Sequence, residues 1–239
     1  MSTTYLLASL IFLFAGTVQG LTGFGAGLLA IPLLCLIMDV KLAVSVCIIS
    51  TLLISTTLAW ELRRFLDRRK ILPLLLGSLP GIYTGTLLLK TIDPNLIKTL
   101  LGLLLIGVSC FNLVFTPKAI NPARAWGYIA GFFSGAINAT VAAGGPPAII
   151  YTTLHDWKKE EIKATLTGFF MINGYLTAGV HAFSGLIGAQ TLGYFAVTLP
   201  FVLAGTMIGS RIGGRINRRR YLQLVYGLLM GLGILMIVG

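Results

Sequence analysis

Ten uncharged residues supply the groups with which this 239-residue chain could receive a small ligand. Gln19, Gly20, Thr22, Gly23 and Gly25 belong to one segment, QGLTGFGAGLLAIP, which ends at Pro32. Asn138, Thr140, Gly144 and Gly145 belong to a second, SGAINATVAAGGPP, which ends at Pro147, and Asn173 lies in a later apolar stretch. Amides and hydroxyls beside glycine breaks donate hydrogen bonds. Backbone N–H groups freed at a helix start carry partial positive charge, so the set suits an anion held without any cationic side chain.

Each polar residue also has a structural reading. Gln19 and Asn138 can cap carbonyls freed by a helix break, and a threonine can bond back to its own helix. Asn173 and Thr177, four residues apart on one helix face, suit an interhelical bond as well as a substrate contact. Ser50, Thr51 and Ser55 are read as packing residues, His155 and His181 as solvated span-end groups, and the isolated Cys35, Cys47 and Cys110 as packing residues. The spans hold no carboxylate, no HExxH and no serine with a histidine at evident depth, which argues against an enzyme. No metal or cofactor is expected.

The elements that position these groups follow from composition. Hydrophobic residues make up 56% of the chain, charged residues only 10%, and mean hydropathy is +0.91, values that exclude a soluble domain. Uncharged runs cover 1–38, 42–60, 71–89, 99–117, 125–154, 164–210 and 221–239, with nearly all ionisable groups between them. The net charge of +11 sits in short loops flanking those runs, so it reads as an orienting signal rather than a nucleic-acid surface. The N-terminal run lacks a basic leader and belongs to the first glycine segment, so no cleaved signal peptide is expected. Trp60, Trp126 and Trp157 stand at span ends, as interfacial anchors do.

As one helix, residues 4–38 would extend about 52 Å against a hydrocarbon core of about 30 Å, and four glycines fall in the middle. A break is the cheaper solution. Broken helices inside a bilayer are tolerated only where protein or a cavity receives the freed backbone groups, and paired breaks point to a binding site. The two segments align at an offset of 115, pairing Gly16 with Gly131, Gly20 with Gly135 and Pro32 with Pro147. A second offset of 124 pairs Gly81 with Gly205 and Gly85 with Gly209, a spacing read as close helix packing.

Loop charge decides how the broken segments cross. Arg63, Arg64, Arg68, Arg69 and Lys70 mark one loop, and Arg211, Arg215, Arg218, Arg219 and Arg220 another; both belong in the cytoplasm. All basic loops share one side only if 125–154 folds back on itself. The same hairpin at 4–38 places both termini outside and inverts the second half relative to the first. The expected architecture is therefore an all-α polytopic integral membrane protein built as an inverted repeat. Residues 1–118 hold the hairpin 4–38 and helices 42–60, 71–89 and 96–115. Residues 119–239 hold the hairpin 125–154 and helices 162–182, 191–210 and 221–238.

The glycine-rich first segment, the GGPP of Gly144 to Pro147 and the duplicated span pattern resemble the TauE/SafE family, also called the toluene sulfonate uptake permease family. The resemblance covers essentially the whole chain. It implies a multi-pass transporter of the cytoplasmic membrane that moves sulfite, sulfoacetate or another organosulfur anion. With the residues above, it sets the expectation of facilitated or potential-driven carriage, in the direction of export, at a midplane site between the hairpin tips. An anion channel and a carrier of another small organic anion are the alternatives. The expected partners are a small anion and the lipid bilayer, with a homodimer left open and no nucleic acid.

Overall fold

The structure, a computed structural model, describes residues 3–114, 119–212 and 218–238. Lys118, where the first expected repeat ends, Arg215 and the chain ends lie outside the described residues. Among the described residues the chain forms α-helices and one 3-10 turn, Arg63–Phe65, and no strand. The helices are α1 (Thr3–Thr22), α2 (Ala26–Cys35), α3 (Val40–Glu61), α4 (Arg68–Thr91) and α5 (Pro94–Val114), followed by α6 (Arg124–Val141), α7 (Gly145–Thr153), α8 (Lys159–Phe183), α9 (Ala189–Ile212) and α10 (Arg218–Val238). Five of them, α1, α3, α4, α5 and α9, are long and apolar enough to cross a bilayer. The all-α polytopic architecture read from the sequence holds.

Helix ends fall where the sequence supplies caps. The Asp39 carboxylate accepts from the Lys41 and Leu42 N–H groups at 2.9 and 3.4 Å and starts α3. Asp67 starts α4 by accepting from Arg69 N–H at 2.8 Å. The break after α1 uses Gly23 and Gly25, whose φ values of 90° and 98° are open to glycine at little cost. The break after α6 instead puts Ala142 at φ 52°, a left-handed conformation that costs on the order of 1 kcal/mol for an alanine.

Hydrogen bonds between loops place the helix ends on two faces. On one, Lys41 Nζ donates to Lys90 O, Lys90 Nζ donates to Ser184 O, and Tyr5 stacks on Tyr194 at 4.3 Å. That face gathers the start of α1, the return of the chain from α2 into α3, the end of α4 and the α8–α9 turn. On the other, the Ile120 and Asn121 N–H groups donate to Leu154 O at 2.9 and 3.0 Å, tying the approach to α6 to the exit from α7. The α1–α2 and α6–α7 pairs thus fold back from opposite faces. The second face carries Arg63, Arg64, Arg68, Arg69, Lys70 and Lys158, against Lys41, Lys90 and Lys98 on the first. There Lys70 pairs with Glu161 at 3.2 Å, and the Lys158 N–H followed by Lys70 holds the Glu161 carboxyl below its ordinary range.

The closest helix pairs join distant parts of the chain. A Cβ at Gly205 would collide with Leu13 O and one at Gly209 with Thr17 O, so α9 lies backbone to backbone along α1 in parallel. On α4, Gly81 and Gly85 meet Phe132 O and Ala136 O of α6 in the same way. The close packing expected at these four glycines is present. Leu13 and Phe132 are 119 residues apart, as are Thr17 and Ala136, and helix ends Thr22 and Val141 and helix starts Ala26 and Gly145 share that spacing. The offset of 115 is therefore one helical turn out of register. A glycine pattern with period four matches itself after a slide of four, so Gly16 corresponds in packing to Gly135 rather than to Gly131.

Gly81→Leu and Gly205→Leu should each destabilise the folded protein by about 1–3 kcal/mol or more, because backbone on the facing helix cannot yield. Gly107→Ala, with open space at its Cβ position, should leave melting unchanged or raise it slightly. Thermal unfolding in detergent compares the three.

Candidate functional site

The N-termini of α2 and α7 converge on a cavity of about 50 Å³, to which Gly25 and Gly27 contribute from the first break and Gly144 and Gly145 from the second. A single water needs roughly 10–15 Å³ by this measure, so the space suits a small ion or a few waters. Helices α3 and α8 close its sides with Thr51, Leu52 and Ser55 facing Phe170, Asn173 and Gly174. They approach closely because Gly174 has no side chain: a Cβ there would lie 3.1 Å from Leu52 Cδ1. No Lys, Arg, Asp or Glu lines the cavity among the described residues.

Two amides hold the breaks in place, and they are related by the packing offset of 119. Gln19, buried at 3% exposure, accepts from Ala26 N–H through Oε1 at 3.2 Å and donates from Nε2 to Ser55 Oγ at 3.2 Å. It thereby caps the start of α2 and fastens the break to α3. Asn138 donates from Nδ2 to Thr177 Oγ1 at 3.3 Å, while Thr177 donates to Asn173 O at 2.8 Å. This fastens the second break to α8. Ser134 Oγ donates to Gly144 O, holding α7's entry against α6.

The two helix starts differ in what they offer. By position, the Gly27 and Leu28 N–H groups of α2 have no intrahelical acceptor, and Leu29 N–H makes the first such bond, to Gly25 O at 3.2 Å. In α7 the second and third residues are Pro146 and Pro147, so only Gly145 brings an N–H in that turn. Both helix dipoles favour negative charge at the cavity, but α2 supplies more donors. Asn173 Oδ1 is buried without a hydrogen-bond partner, so a water or an occupant must bring a hydrogen to it.

The expected residues divide by position. Gln19, Gly25, Asn138, Gly144, Gly145 and Asn173 line the cavity. Gly20 packs on Thr206 O and Ser210 N of α9, and its own carbonyl accepts from Lys163 Nζ at 3.1 Å. Gly23 leaves room for the Lys163 stem. Thr22 Oγ1 lies 2.8 Å from Val18 O and 2.6 Å from Phe24 O and borders a separate cavity. Thr140 Oγ1 reaches Gly85 O at 3.1 Å, between α6 and α4.

Thr51 and Ser55, expected to be packing residues, stand in the cavity wall, and their i, i+4 spacing on an uncharged helix was the available signal. Ile48, Leu52 and Phe170 carried none, whereas Ala142 and Ala143 belong to the second glycine segment itself. His181 is buried rather than solvated: its Nε2 bonds to Ala139 O at 3.1 Å and covers a carbonyl left open by the end of α6. Cys35 and Cys47 are buried, whereas Cys110 is exposed.

A family model described as "Sulfite exporter TauE/SafE" matches residues 8–236. A "Probable sulfite/organosulfonate exporter TauE" from Cupriavidus necator is 24% identical over 227 residues, covering 92% of this chain and 88% of that protein. No solved structure matches the chain at a significant level.

Removing the Gln19 amide with Gln19→Leu strands Ala26 N–H and Ser55 Oγ together, and should lower stability by about 1–3 kcal/mol. Ser55→Ala, which leaves the Ala26 cap intact, should cost less. Urea or thermal unfolding of both variants in detergent checks the order.

Proposed function

This chain belongs to the sulfite exporter TauE/SafE family, and on that premise we propose that it carries a small sulfur-containing anion, such as sulfite or an organosulfonate, across the cytoplasmic membrane. The observation that carries the proposal is the meeting of two helix N-termini on one cavity free of carboxylates. N–H groups of α2, the Gly145 N–H and the amides of Asn138 and Asn173 give an oxyanion several donors. The orphaned Asn173 Oδ1 suits an anion that also bears an O–H, as bisulfite does.

The hairpins opening to opposite faces support an inverted repeat, with 1–118 and 119–239 as its halves. Gln19 and Asn138 would be equivalent anchors, as would the Thr51–Ser55 and Asn173–Thr177 edges of α3 and α8. The basic face is assigned to the cytoplasm, which puts both termini outside. Rocking of one hairpin and its flanking helices against the other exposes the site alternately. Export is downhill for an anion leaving a cell that is negative inside, by about 2.3 kcal/mol per charge per 100 mV.

Proteoliposomes test this directly. Sulfite or ethanesulfonate efflux should saturate with concentration and accelerate when the vesicle interior is made negative. Gly145→Ala is the informative variant: its Cβ meets only Ile149 Cδ1 at 3.4 Å and Phe170 Cζ at 3.7 Å, so the protein should fold while flux falls at least about tenfold. Flux that is unsaturable, or indifferent to Gly145→Ala, would count against the site.

A further inference from the structure

A second cavity, of about 120 Å³, opens beside the first break and is lined by Thr22, Lys159 and Lys163 with Thr153 of α7. Its apolar wall is Phe24, Ile149, Ile162 and Leu166. Phe24 and Ile149 pack in one cluster with Phe170, and Ile149 and Phe170 both flank Gly145 of the central cavity. A layer of three apolar side chains thus stands between the two spaces.

Helix α8 joins them. Lys159, Lys163, Leu166, Phe170, Asn173 and Thr177 recur at intervals of three or four and share one face, so this face runs from the second cavity to the central one. Lys163 and Asn173 are separated by about 15 Å along the axis. The lysines stand on the face that carries the basic loops, whereas Glu161 is turned to Lys70 and to the Lys158 N–H.

We propose that Lys159 and Lys163 form, in this cavity, a docking subsite for a small oxyanion of the sulfonate or sulfite type, occupied before the anion passes Phe24, Ile149 and Phe170 into the central cavity. The inference deepens the transport proposal and rests on it for the direction of passage. Two ammonium groups one turn apart match an oxyanion with several acceptor oxygens. Lys163 Nζ also donates to Gly20 O, one of the carbonyls at the end of α1. An anion that draws Lys163 toward itself weakens that bond, so occupancy of the subsite loosens the first break on the side from which the anion arrives.

The test reads lysine reactivity in the full-length protein. Acetylation by an N-hydroxysuccinimide ester is followed residue by residue by mass spectrometry in ethanesulfonate, inorganic phosphate or chloride at matched ionic strength. Ethanesulfonate should slow modification of Lys159 and Lys163 several-fold while Lys41 and Lys98 are unaffected; slowing by phosphate as well would assign a general oxyanion subsite. Uniform slowing of all lysines, or none, overturns the proposal. In proteoliposomes, Lys163→Gln and Lys159→Gln should each raise half-saturation about tenfold, the worth of a charge-assisted hydrogen bond, and Lys163→Arg should restore it if the glutamine variant folds poorly. Protection without saturable flux leaves the subsite standing and removes the transport proposal. Saturable flux with unprotected lysines and unchanged half-saturation does the reverse.

Discussion

Hydrocarbon offers no hydrogen bonds, so every N–H and C=O that a broken helix releases must find a partner in the protein. That constraint organises this molecule. The first break gives up Gly20 O to Lys163 Nζ and Ala26 N–H to Gln19 Oε1; the second gives up Ala139 O to His181 and Gly144 O to Ser134 Oγ. Gly20 and Ala139 are themselves 119 residues apart, so the same position in each broken helix is covered by a nitrogen-bearing side chain of α8. Lys163 and His181 lie about 27 Å apart along that helix, which makes α8 a strut between the two breaks. The groups left uncovered are N–H donors at the cavity, and the proposed anion would answer them.

Glycine then decides which helices can hold the breaks. Without Cβ atoms at Gly205 and Gly209, α9 comes close enough to α1 for backbone contact, and α4 does the same with α6 through Gly81 and Gly85. Dispersion gained along such contacts substitutes for the hydrophobic drive that lipid removes. Each broken hairpin is therefore gripped by a helix from the other part of the chain. The cavity accordingly takes its lining from both broken hairpins and from α3 and α8.

Much of this was legible in the sequence because it rests on strong local rules. Uncharged runs gave the spans, basic loops forced the fold-back, and glycines with proline marked the breaks at Gly23–Gly25 and Gly144–Gly145. The register of the two breaks was less legible, since a four-residue glycine pattern cannot distinguish an offset of 115 from 119. His181 was misjudged for a related reason: a basic residue near a span end is ordinarily solvated, and only the packed helices show that it, like Lys163, reaches an orphan carbonyl. Thr51, Ser55 and Phe170 reach the cavity through the crossing of α3 and α8 at Leu52 and Gly174, a contact 122 residues apart that no local pattern announces.

Selenite, the heavier analogue of sulfite, gives the most direct view of the site. Anomalous diffraction from crystals of the protein soaked in selenite should place a selenium peak between the N-termini of α2 and α7, within hydrogen-bonding reach of the Gly27 and Gly145 N–H groups and Asn173. A peak confined to the lipid-facing surface, or a central cavity that stays empty while selenite is transported, would contradict an anion site built from these two helix starts.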